Sequence, residues 1–205
     1  MNSRAGSSGP ARLEAALSYV PTLVTGPAER LIALDDAKAQ LRVEDDTENA
    51  LITDCIDAAT GLLDGYSGVL RRCLIRQKWA QVFDRFAPCL PLPMPALEVA
   101  SIMYLDREGV AQTIAGAVYA LRRTAYGSAV HRLKSQSWPA DLSAEAGSIT
   151  VEFWAGYGAA PEAVPAPIRV AAKMIVATLY EHREAADPLT EPMRAMLRPF
   201  ALKQI

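Results

Sequence analysis

Pro167-Ile168-Arg169-Val170-Ala171-Ala172-Lys173-Met174-Ile175-Val176-Ala177-Thr178-Leu179-Tyr180 is apolar almost all the way round, with only Arg169, Lys173 and Thr178 interrupting it. Proline suits a first helical turn, where its missing N–H is not needed, so Pro167 marks a helix start. A helix apolar on nearly every side must be covered on nearly every side, which a domain this small can rarely arrange alone. A neighbouring subunit could supply the missing cover. Ile168, Arg169, Ala172, Lys173, Ile175, Val176 and Leu179 are therefore the candidate core or subunit-interface positions.

Working outward, the segment just upstream changes period. Ser148 to Trp154 places Ile149, Val151 and Phe153 on one face, a strand pattern, and Ala155-Gly156-Tyr157-Gly158 then reads as a strand-to-helix turn. Leu97 to Leu105 and Val110 to Ile114 read as strands joined by a turn at Asp106-Arg107-Glu108-Gly109; Ile75 to Asp84, Val118 to Arg122 and Ala129 to Leu133 are further strands. Pro88, Pro91, Pro93 and Pro95 predict a stiff extended crossing. Ahead of these lie two helices. Asp35 is a candidate cap for one over 34–42. Asp45 with Glu48 is a capping-box variant for one over 46–66, whose stripe is Leu51, Ile52, Cys55, Ile56, Ala59, Leu62, Leu63 and Tyr66. Gly65 and Gly68 are expected to end it. A third helix is predicted over 167–184.

The fold class that follows is α+β: an α-helical core with an inserted antiparallel β subdomain, about residues 70–156, and a short C-terminal helix. Residues 1–30 read as a flexible arm, 31–186 as the main domain and 187–205 as a hinged segment. In that segment Met193, Met196, Leu197 and Phe200 share one helix face at i, i+3, i+4 and i+7. Methionine suits an adaptable docking surface. The alternative is that this stripe packs on its own domain.

The chain has 205 residues, 51% hydrophobic and 21% charged, a globular composition. No apolar run reaches the length of a membrane helix, and the start of the chain, Met1 to Pro10, reads as a tail, not a signal peptide. Cys55, Cys73 and Cys89 are widely spaced, which argues against a disulfide framework or zinc site. Phosphate-loop, dinucleotide and nucleophile-elbow motifs are absent, and no cofactor is expected. His131 and His182 lie apart in sequence, so a hydrolase working through Cys or His rests on the residue inventory alone. Asp45, Asp46, Glu48, Asp54 and Asp57 read as dipole-offsetting and solvated acids. Arg71-Arg72, Arg76, Lys78, Arg122-Arg123, Arg132 and Lys134 could touch nucleic acid, so a DNA-binding regulator using a basic β face is the rival reading. The net charge of −2 argues against it.

Taken in order, several segments resemble the head–tail connector proteins (adaptors, or head-completion proteins) of long-tailed phages, prophages and gene transfer agents. They are Leu34 to Val43 followed by an acidic stretch and Ala50-Leu51-Ile52; Tyr66-Ser67-Gly68; Gln77-Lys78-Trp79; Leu90-Pro91-Leu92-Pro93; Ile102 to Gly109; Phe153-Trp154-Ala155-Gly156-Tyr157-Gly158; Val164 to Arg169; and Leu179 to Glu184. The resemblance spans about Leu31 to Glu184 and leaves Ala120 to Gly147 unmatched. It implies a non-enzymatic ring subunit in twelve copies beneath the portal, at the head–tail junction of a particle assembled in the bacterial cytoplasm. Its partners would be itself, the portal and a stopper or tail-side protein, with DNA passing through the lumen without specific binding and no membrane involved. It also favours portal docking by Met193, Met196, Leu197 and Phe200.

Overall fold

The structure, a computed structural model, describes residues 19–124, 127–182 and 187–202. The described residues divide into a helical unit, residues 23–78 and 154–202, and a β-rich unit built on residues 79–153 with residues 19–22. Residues 79–153 interrupt the helical unit in the chain; the sequence alone suggested an insertion over about 70–156.

In the helical unit, α1 (Leu34–Leu41) follows Ala33 in an extended conformation, and no side chain caps it. Asp35 is therefore not the cap; with Asp36 it lies in the first turn, where negative charge offsets the helix dipole. Helix α2 (Asn49–Leu63) is shorter than the 46–66 expected. The acids before it serve a turn, not a capping box: Asp45 Oδ1 accepts the Thr47 N–H at 2.9 Å, and Asp46 Oδ1 accepts Lys38 Nζ at 2.7 Å. Its other end is set by Asp64, which is already extended, and by Gly65 at φ 77. A Cβ on Gly68 would lie 2.4 Å from the Asp64 carbonyl oxygen, so the chain can turn here only on glycine.

Helix α3 (Ala166–Glu181) starts with Pro167 in its first turn, as its sequence predicts, and ends where the His182 N–H bonds the Thr178 carbonyl. Of the predicted extension to 184, Arg183 and Glu184 lie outside the described residues. Helix α4 (Glu191–Leu197) runs into a 3-10 turn at Arg198–Phe200. Their buried faces merge in one core: Ala37 of α1, Ile52, Cys55, Ile56, Ala59 and Leu63 of α2, and Ile168, Ala171, Ala172, Ile175 and Val176 of α3.

The strands are β1 (Thr22–Thr25), β2 (Gln77–Phe83), β3 (Cys89–Leu92), β4 (Ala96–Leu105), β5 (Ala111–Thr113), β6 (Tyr119–Thr124), β7 (Gly127–Arg132) and β8 (Ile149–Ala155). They form a five-stranded sheet in the order β1-β2-β8-β4-β5 and a three-stranded sheet in the order β3-β7-β6. β8 alternates buried and half-buried residues along its whole length, the period its sequence showed. Strand β3 arises inside the proline-rich crossing. Pro91 pairs with Ala129 from an edge position, where a residue without an N–H is tolerated. The sequence suggested a free arm up to residue 30. Instead Thr22–Thr25 is a strand, and Tyr19 is tied down by its hydroxyl to Asp84 at 2.7 Å and by its carbonyl to Gln81 Nε2 at 3.0 Å.

Segment 120–147 also has a place. Residues 120–124 and 127–132 supply β6 and β7, and Trp138 stacks on Phe86 at 4.9 Å while donating to the Ala87 carbonyl at 2.8 Å.

Ile175 and Val176 are 0% exposed in the helical core, so a charge at either position has no solvent to reach. Ile175→Asp is expected to cost several kcal/mol, about 3–5 by the precedent of buried unpaired charges, and to abolish soluble expression or the cooperative melting transition. A variant that melts like the parent contradicts this packing.

Candidate assembly site

Some of the segments that carry the family resemblance meet in the helical unit. Gly68, Gln77 and the turn Gly156 to Gly158 lie about one carboxylate, Asp64, and the extended segment 72–77 beside it. Asp64 Oδ1 accepts the Leu74 N–H at 2.6 Å, and Oδ2 accepts Gln77 Nε2 at 2.8 Å. Burial pushes the Asp64 carboxyl above its usual range, while the bonds from Gln77, the Leu74 N–H and the Gly65 N–H pull the other way. The opposite side of segment 72–77 receives the turn after β8. The Arg76 N–H bonds the Gly158 carbonyl at 2.7 Å, and the Tyr157 N–H bonds the Leu74 carbonyl at 2.9 Å. Gly156 has φ 133 and would drive a Cβ to 2.7 Å from the Ile75–Arg76 backbone. Arg72 donates to the Tyr157 hydroxyl at 2.8 Å, and Arg76 stacks over Trp154 at 4.4 Å. The motif is a clamp between chain segments, not a ligand loop.

The positions singled out on α3 divide by face. Ile168, Ala172, Ile175 and Val176 are fully enclosed by the helical unit itself, while Arg169, Lys173 and Leu179 are half-buried. Lys173 Nζ bonds Asp36 Oδ2 at 3.0 Å, pinning α3 to α1. The side left open belongs to a residue the interface set omitted: Val170, 48% exposed. Its neighbours in sequence are all apolar or long-chained, so nothing in the pattern distinguished it.

In the C-terminal stripe, Met193 and Leu197 are buried in the helical core, and Met196 and Phe200 pack against it partly covered. The alternative kept open above, packing on the chain's own domain, therefore holds for Met193 and Leu197. Asp187 helps hold the segment: it accepts the Leu189 N–H at 2.9 Å and pairs with Arg194.

The basic residues considered for nucleic acid are largely engaged at home. Arg123 donates to the Ala96 carbonyl at 2.9 Å and the Leu97 carbonyl at 3.2 Å, and Arg132 bonds the Leu133 and Gln136 carbonyls. His131 Nε2 lies 3.7 Å from Cys89 Sγ, but burial raises the Cys89 thiol pKa, the wrong direction for a nucleophile. Among the described residues no cluster of three or more His, Cys, Asp or Glu suits a metal ion, and no helix is long and apolar enough to cross a membrane.

This fold, a discontinuous helical unit interrupted by a two-sheet β unit, is found in the neck of gene transfer agent (GTA) particles. The chain matches one in the neck of an empty GTA particle, computed with C6 symmetry, with a TM-score of 0.75 at 19% identity over 91% of this chain and 97% of that one. It matches one in the virion of a native GTA particle with a TM-score of 0.73 at 20% identity, and one in a native neck computed with C12 symmetry at 0.70 and 18%, with the same coverage. No family model and no curated protein sequence matches it.

Two measurements follow from the clamp. Asp64→Ala leaves the Leu74 N–H and Gln77 amide without their acceptor, at about 1–3 kcal/mol, and is expected to lower the melting temperature by several degrees. Because Asp64 has a raised folded pKa, its ionisation subtracts stability as pH rises from about 4 towards neutrality. Asp64→Asn removes that dependence, so the stability of the wild type relative to Asp64→Asn is expected to fall over this range. A difference that grows with pH overturns the assignment. A third follows from the C-terminal packing. Truncation after residue 186 removes Leu189, Met193 and Leu197 from the core and is expected to lower the melting point by about 5–10 °C.

Proposed function

We propose that the protein is a structural subunit of a phage-like particle, an adaptor that assembles in a ring at the head–tail junction and continues the DNA channel from the portal towards the tail. The observation that carries this reading is the match along 97% of chains from GTA necks, one of them a neck computed with C12 symmetry. Two independent features support it. The residues common to this chain and the connector pattern serve a rigid joint, which is what a load-transmitting subunit requires. The net charge of −2, with Arg123 and Arg132 committed to backbone carbonyls, suits a channel through which DNA slides without being held.

In this reading twelve copies match the portal above and meet a stopper or tail-side protein below. Residues 187–205 make the head-side contact. Because Met193 and Leu197 are enclosed, that contact falls to the outer face of the segment, with Met196 and Phe200 at its margin. The open side of α3 around Val170 faces a neighbouring subunit.

The test is negative-stain electron microscopy of the purified protein, alone and mixed with portal-bearing heads. Rings, or heads carrying an added ring of density, are expected; a protein that stays monomeric and leaves heads unchanged overturns the proposal. In parallel, duplex DNA binding at physiological salt is expected to be weak and indifferent to sequence. A tight, sequence-selective complex in a mobility-shift assay would instead favour the regulator reading.

A further inference from the structure

Seven large apolar side chains are well exposed among the described residues, and four of them lie in or beside two strands: Val20 at 73%, Leu23 at 47% and Val24 at 44% with β1, and Val110 at 55% with β5. These two strands are the first and last of the five-stranded sheet, so among the described residues each offers one unpaired backbone edge. Every residue of both is exposed, and neither strand, Thr22-Leu23-Val24-Thr25 or Ala111-Gln112-Thr113, contains a charge. Soluble proteins ordinarily blunt such edges by keeping the strand very short or with lysine, an internal proline, a bulge or a covering loop, because a bare edge templates another strand. These two strands, of 4 and 3 residues, are short but carry no charge or proline.

The ladder identifies which groups of β5 are open. The Ile114 N–H bonds the Ile102 carbonyl at 2.9 Å, and the Asp106 N–H bonds the Val110 carbonyl at 3.0 Å. Antiparallel pairs alternate between bonded and non-bonded, so Tyr104 and Gln112, which lie between these two pairs in register, form the bonded pair. The backbone N–H and C=O of Ala111 and Thr113 therefore point away from β4, along the free edge.

We propose that β1 of one copy pairs with β5 of the next, so that the five-stranded sheet continues from subunit to subunit. This rests on the ring reading above. Because the two edges are different surfaces, their pairing is head-to-tail and repeats until it closes on itself, whereas pairing of like edges would stop at a two-fold dimer. A ladder of three or four residues is a small junction. It separates readily in a pair of molecules and persists in a closed ring, where each copy is held on both sides.

The experiment uses the full chain carrying Val24→Cys and Thr113→Cys, treated with a short bismaleimide. Cys55 and Cys73 are buried and Cys89 is half-buried, so wild type sets the background. A ladder of covalent multimers is expected, absent from wild type and from a Val69→Cys/Thr113→Cys control. Adding Ala111→Pro, which deletes an open-edge donor and leaves the bonds to β4, is expected to abolish the ladder without moving the melting transition. Leu23→Lys, which places a charge at an already exposed position of β1, is expected to give the same loss with no backbone change. Rings by microscopy without a ladder overturn the strand pairing and leave the ring reading standing. A ladder in a protein that neither closes into rings nor joins heads supports the pairing and removes the ring. Neither ladder nor rings overturns both.

Discussion

The fold depends on one half-buried carboxylate, that of Asp64. Segment 72–77 is neither helix nor, until Gln77, strand, yet its backbone is the common rail between the end of α2 and the turn after β8. Without an acceptor at position 64, the Leu74 N–H and the Gln77 amide would be shut away from water with nothing to bond. Without segment 72–77 in place, Gly158 and Tyr157 would lose their backbone partners and α3 its fixed entry angle. The carboxylate is retained although burial works against its charge, because three donors surround it. Substituting a hydrophobic residue would relieve the desolvation and strand the donors, the costlier error.

Much of this was legible in sequence where a single periodicity ruled. The stripe of α2 from Leu51 to Leu63, the helix begun by Pro167, the alternation of β8 and the Asp106–Gly109 turn appear where their patterns place them, because burial on one face leaves a repeating trace. Tyr66, the last residue of the expected stripe, lies exposed beyond the helix end. What escaped notice has a physical reason in each case. β1 is an edge strand exposed on every residue, so no alternation marks it. β3 hides in a proline run, since an edge position excuses the missing donor. The clamp joins residues far apart in the chain, Arg72 and Tyr157 being 85 positions apart, and no local window holds both. The acids before α2 fit the pattern of dipole partners and caps, whereas Asp46 reaches back to Lys38 and Asp45 folds onto Thr47, choices set by a turn geometry the composition does not reveal.

The all-round apolarity of α3 was the strongest signal and the easiest to over-read. Small residues carry much of it: Ala171 and Ala172 let neighbouring helices approach closely, and the longer chains of Arg169 and Lys173 cover the flank. The helix is thereby buried along one broad face by its own unit, and Val170 is its one large apolar side chain left well exposed.

The division of the helical unit into two stretches of sequence has a consequence for how the protein is made. The ion pair between Asp36 and Lys173 links positions 137 apart, and the core it borders needs α2 from before the insertion and α3 from after it. On a ribosome, α1 and α2 emerge with their apolar stripes uncovered and stay so while the whole β unit is synthesised. The β strands, whose partners follow within the insertion, can pair first, and the helical core closes last, when α3 and α4 arrive. Synthesis thus contains an interval in which Ile52, Ile56 and Leu63 have no shelter of their own, and during that interval the chain is a natural client for a chaperone.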